Sequence, residues 1–110
     1  PMIDWTRVDE LRAEVGEDGF DEVVELFLEE TDEVADRLIS VSDSDLGRDM
    51  HFLKGSALNL GLRALAQMCH DGERLCGSGR GGEVDRPALV HLYEAAKTAL
   101  KEGLARRSAA

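Results

Sequence analysis

The stretch SDLGRDMHFLKGSALNLG, Ser44 to Gly61, decides the fold. Its residues Leu46, Met50, Leu53, Ala57 and Leu60 follow one another at steps of four, three, four and three, the seam of a helix packed in a bundle. A helix over roughly 44–60 follows, capped by Ser and Asp residues of the Ser42–Asp45 turn and closed by Gly61. On a helical wheel the stripe centres between Leu53 and Ala57. His51 then lies roughly 140° away, Gly55 almost opposite the stripe, and Lys54 about 80° to one side.

The histidine is therefore on the wet face, and the glycine needs a reason. Glycine in an exposed helix interior costs about 1 kcal/mol relative to alanine, and packing within the chain cannot explain a residue that points away from the core. His51 and Gly55 are i and i+4, so the missing side chain clears the approach to the imidazole. Lys54, at i+3, brings an ammonium near anything attached to that ring. A neutral, accessible imidazole beside a cation suits the acceptance of a phosphoryl group. Phe52 and Leu58 lie off the stripe and leave apolar surface for a partner, and Arg48 and Asn59 join them as candidate docking residues.

Helical periodicity extends outward in both directions, and no segment alternates at period two. Upstream, a short helix starts at Asp4 as N-cap, turns Trp5, Val8, Leu11 and Val15 inward and stops at Gly16, a lid in size. A longer one runs from about Asp18 to Val41 with Phe20, Val23, Phe27, Val34, Leu38 and Val41 on one face. Its paired carboxylates, such as Glu29 with Glu33 and Glu22 with Glu25, read as a solvated face. Downstream of Gly61, Leu62, Leu65, Cys69, Gly72 and Cys76 point inward with Met68 and Leu75 at the margin. The run GSGRGG, Gly77 to Gly82, then reads as a flexible loop. Asp85 and Pro87 open a last helix with Leu89, Leu92, Ala96, Leu100 and Leu104 on its core side. The expectation is an all-α protein, an antiparallel up-down four-helix bundle with an additional short N-terminal helix. It is a single domain over residues 2–106, with 107–110 a frayed tail. Pro1, ahead of Met2, is left out of this reading.

The charge is uneven. Residues 1–50 hold 17 acids against 4 bases, and residues 51–110 hold 6 against 9, for a total of -10. Such a chain is a poor ligand for phosphate backbones, so nucleic acid is not expected as a partner. No run reaches the roughly 18 apolar residues of a membrane span, and a cytoplasmic location and a monomer are expected.

Cys69 and Cys76 are seven apart, about 10 Å along a helix, too far for a disulfide with each other. They face the core while His70 points about 120° away, so a metal site is not expected and the cysteines read as small buried hydrophobes. A kinase would need an ATP-binding domain and a Gly-rich phosphate turn, which 110 residues of this pattern do not supply. The off-core histidines His51, His70 and His91 sit on three separate helices, which argues against a hydrolytic constellation. A helical adaptor that binds a signalling partner without phosphotransfer is the alternative.

The segment resembles the signature of the histidine-containing phosphotransfer (HPt) domains of bacterial two-component phosphorelays: His, an aliphatic residue two later, Lys-Gly, small residues, a polar residue and Leu-Gly. Here it reads His51, Leu53, Lys54, Gly55, Ser56, Ala57, Asn59, Leu60 and Gly61. The resemblance implies a phosphohistidine carrier without kinase activity of its own. Its partners would be receiver-domain aspartates of response regulators and a hybrid histidine kinase. It implies phosphorylation of His51 on Nε2, electrostatic support from Lys54 and room for the receiver at Gly55. It also implies an acidic or amide acceptor for Nδ1 on the next helix, where Glu73 falls at the corresponding spacing. No cofactor would be bound by this domain, and Mg2+ would sit on the receiver.

Overall fold

The computed structural model describes residues 1–109. Five α-helices lie among the described residues: α1 (Trp5–Val15), α2 (Glu17–Arg37), α3 (Asp43–Leu60), α4 (Arg63–Gly77) and α5 (Arg86–Ala109). Helices α2 to α5 form the up-down bundle, α2 and α4 each packing against both α3 and α5, in a body 46 × 21 × 21 Å. The most extensive seam joins α3 to α4.

Local chemistry sets the boundaries. Asp4 caps α1 by accepting the Arg7 N–H at 3.3 Å, and Ser42 caps α3 by accepting that of Asp45 at 3.2 Å. Gly61 ends α3 in the left-handed region at φ 76°, which an L side chain rarely adopts, and a Cβ there would also stand 2.6 Å from the Asp4 carbonyl oxygen. The Asp4 N–H donates back to the Gly61 carbonyl at 2.7 Å. Trp5 lies where a Cβ on Gly103 would be, and α1 thereby closes one end of the bundle.

Helix α3 buries Leu46, Met50, Leu53, Ala57 and Leu60, as its spacing requires. Three other readings need correction. Helix α2 stops at Arg37 and not Val41, because Arg86 donates to the carbonyls of Leu38 at 3.0 Å and Val41 at 2.5 Å and satisfies them outside a helix. Its buried stripe is Phe20, Val24, Leu28, Thr31, Val34 and Ala35, leaving Val23 and Phe27 half-buried. The shift follows from Thr31, whose hydroxyl donates to the Phe27 carbonyl at 2.9 Å and meets the Tyr93 hydroxyl at 2.7 Å, so a polar residue occupies a core position. Tyr93 likewise turns α5 so that Leu89, Tyr93, Ala96 and Leu100 are buried while Leu92 and Leu104 are half-buried.

The remaining differences lie at edges. Val15 is exposed, and Cys76 is half-buried. The glycine run is less open than expected, since Gly77 belongs to α4 and Gly81–Glu83 form a 3-10 turn with Gly81 buried. The last helix runs to Ala109, with Arg107 paired to Asp9 and its guanidinium 4.7 Å from the Trp5 ring centroid. Ala110 lies outside the described residues.

Candidate functional site

The exposed face of α3 carries His51 with its side chain 71 % accessible. Its Nδ1 stands 2.7 Å from Oε2 of Glu73 on α4. The other carboxylate oxygen of Glu73, Oε1, is enclosed and faces the Lys54 ammonium at 2.6 Å, off the angles of a directional hydrogen bond. One carboxylate thus bridges a lysine and a histidine that are neighbours on the facing helix. The ammonium of Lys54 is the foremost cause that holds the Glu73 carboxyl below the ordinary glutamate range; partial burial opposes it and the bond to His51 assists it.

Gly55 sits on the same face, one turn from His51, and a Cβ built there would meet nothing within 4 Å. Intramolecular packing therefore does not require this glycine, and space beside the imidazole is open. Phe52 and Leu58 are 37 % and 58 % exposed, and Asn59 is exposed with its carbonyl accepting from Arg7 Nε at 3.2 Å. The Arg48 side chain is also exposed, paired at 2.5 Å with Asp45. Two grooves flank α3. One, of about 450 Å³, is lined by Lys54, Leu58, Arg63, Ala66 and His70 on the α4 side. The other, of about 560 Å³, is lined by Val34, Arg37, Arg48 and Phe52 on the α2 side.

The sequence-level residues therefore share one face, and Glu73 completes a three-residue contact with His51 and Lys54. The Lys54 ammonium faces the carboxylate of Glu73. One residue beside the site escaped the sequence reading: Asp49, buried and held by Arg37 through two bonds of 3.1 and 2.8 Å. An acid three residues after Leu46 and four before Leu53, on the margin of the apolar stripe, was the available signal. His91 is exposed on α5, and Cys69 is fully buried, with burial pushing its thiol up to about 12. Among the described residues no three His, Cys, Asp or Glu side chains group to hold a metal ion.

A family model described as "Hpt domain" matches residues 22–110. The chain belongs to the Hpt domain family. Comparison with curated proteins and with solved structures returned no match. Hpt domains are the histidine phosphotransfer modules of two-component signalling, working with receiver domains and kinases in phosphorelays. In this Hpt domain the match begins inside α2, so α1 precedes it. No helix among the described residues is long and apolar enough to cross a membrane.

Proposed function

We propose that His51 is the phosphoacceptor, taking a phosphoryl group from an aspartyl phosphate of a receiver domain and returning it to another. The observation that carries this is the contact of Nδ1 with Glu73 on an imidazole that is otherwise open to solvent. A carboxylate facing Nδ1 keeps the proton on that nitrogen and leaves the lone pair on Nε2. That lone pair forms the new N–P bond while the bond from phosphorus to the aspartyl oxygen breaks, and the electron pair departs with the aspartate carboxylate. Because Nδ1 keeps its proton, the phosphorylated ring is cationic, and the Glu73 carboxylate faces the charge as it develops. Return transfer is the same path reversed.

Lys54 keeps Glu73 ionised and turned toward the ring, and adds positive potential where a negatively charged phosphoryl group must arrive. Gly55 leaves the receiver room, and Arg48, Phe52, Leu58 and Asn59 offer the surface it covers. The domain supplies nucleophile, orientation and docking, while Mg2+ belongs to the receiver, in the cytoplasm. The test is label transfer from a phosphorylated receiver. Acid-labile label is expected on the native chain and none on His51→Gln; label retained by the variant refutes the assignment.

A further inference from the structure

Along the seam between α3 and α4 the facing residues include two glycines, one from each helix. A Cβ on Gly47 would stand 3.2 Å from the Cβ of Cys76, and one on Gly72 would stand 2.2 Å from Cε and 3.5 Å from Sδ of Met50. Neither glycine has a positive φ, so neither is needed for its backbone freedom. Both sit inside helices, where glycine is unfavourable relative to alanine. What they provide is close approach of the two helices.

The register ties this approach to the site. Gly47 opposes Cys76, Met50 opposes Gly72, and the next residues along each helix, His51 and Glu73, are the pair joined at 2.7 Å. Glu73 is fixed from two directions, by His51 Nδ1 and by Lys54 at 2.6 Å. A hydrogen bond is lost beyond about 3.5 Å, so an outward shift of α4 by less than about 1 Å breaks the contact. The atom in the way, Cε, is the far end of a flexible side chain and gives way first, so a side chain at 72 makes the fully buried Met50 repack within the seam, and the strain that repacking leaves falls on the α3–α4 spacing.

We infer that Gly72, assisted by Gly47, sets the helix spacing at which Glu73 reaches His51, and that both are positioning residues for phosphotransfer. The inference rests on the proposed roles of His51 and Glu73. It is tested with Gly72→Ala, the milder Gly47→Ala, and the double variant Gly72→Ala/Met50→Leu, whose leucine lacks the terminal Cε. The donor is the phosphorylated receiver found by profiling the source organism's receivers for transfer to His51. The readouts are single-turnover rate at saturating receiver, apparent receiver affinity, and the His51 tautomer by 15N-resolved NMR.

Gly72→Ala should slow transfer about three- to fivefold with a reduced Nδ1–H population and unchanged receiver affinity, and Gly47→Ala should do so by less. The double variant should return to within about twofold of the native rate. Because a merely structural glycine would move thermal stability but not the tautomer, native tautomer and rate in folded Gly72→Ala overturn the inference. A loss that Met50→Leu does not restore overturns it too. Should Gly72→Ala fail to fold, a native tautomer in Gly47→Ala decides against it. Label persisting on His51→Gln, or a native rate in Glu73→Ala, instead refutes the reading on which the inference stands.

Discussion

Replacing Glu73 with alanine removes the only side-chain acceptor bonded to His51 Nδ1 among the described residues. A hydrogen bond to a charged group contributes about 1.5–3 kcal/mol when shielded. Here the imidazole is 71 % exposed and the carboxylate 28 %, so solvent screening and competing water reduce the figure to about 1 kcal/mol. That loss appears twice: in the tautomer equilibrium, because Nδ1–H is no longer favoured, and in the transition state, where the developing ring cation loses its counter-charge. At 1.36 kcal/mol per factor of ten, the expected decrease in single-turnover transfer is about fivefold. Glu73→Gln, which keeps a neutral acceptor, should fall between the alanine variant and the native chain. Rapid-quench transfer from a phosphorylated receiver, paired with 15N imidazole spectra, measures both effects. Lys54 loses its anionic partner in both variants, so Lys54→Met is run alongside to separate the contributions by a double-mutant cycle. A transfer rate within a factor of two of native, with a native tautomer in folded Glu73→Ala, would refute the orienting role.

Lys54→Met removes the foremost cause of the depressed Glu73 carboxyl and leaves its enclosed Oε1 without a cation, so that group should titrate at higher pH. The sign for the native chain follows: a depressed folded-state carboxyl adds stability that is present above the unfolded value of about 4.3 and is lost as pH falls through the lower folded one. A 13C carboxyl titration that gives the same midpoint in both chains would contradict this. Gly55→Gln should hold or raise helicity, with stability rising by up to about 1 kcal/mol, because no atom stands in the way of a Cβ. Transfer should nevertheless fall by at least about tenfold as the side chain fills the receiver's approach; circular dichroism and label transfer read the two effects separately, and unchanged transfer would end the access argument.

How far the sequence reveals this molecule depends on whether a feature is local to one helix. Helix α3 is legible because its seam of Leu46, Met50, Leu53, Ala57 and Leu60 is apolar throughout, and the wheel that buries those residues also exposes His51 and Gly55. Helices α2 and α5 are read in part: Phe20, Val34, Leu38, Leu89, Ala96 and Leu100 are buried as expected, while the positions between them differ because Thr31 and Tyr93 occupy core positions where their hydroxyls meet across the bundle. No rule about apolar periodicity anticipates a polar pair that is buried only because its partner lies 62 residues away. The helix boundary at Arg37 is hidden for the same reason, since Arg86, which satisfies the carbonyls beyond it, comes from α5.

The same distinction separates the parts of the site. Within α4 nothing marks Glu73 off from Asp71, and the resemblance, not the periodicity, singled it out. Its contact depends on the register of α4 against α3, and that register depends on which side chains are absent at Gly47 and Gly72. Gly72 points to the core on the wheel, and its use becomes visible only when Met50 is found in the space its Cβ would fill. A nucleophile can thus be read from one helix, because exposure and clearance are properties of a single face. Its orientation is written across two helices, in the distance between their axes. Substitutions in the α3–α4 seam should therefore reach the chemistry at His51 without touching the surface that a receiver covers.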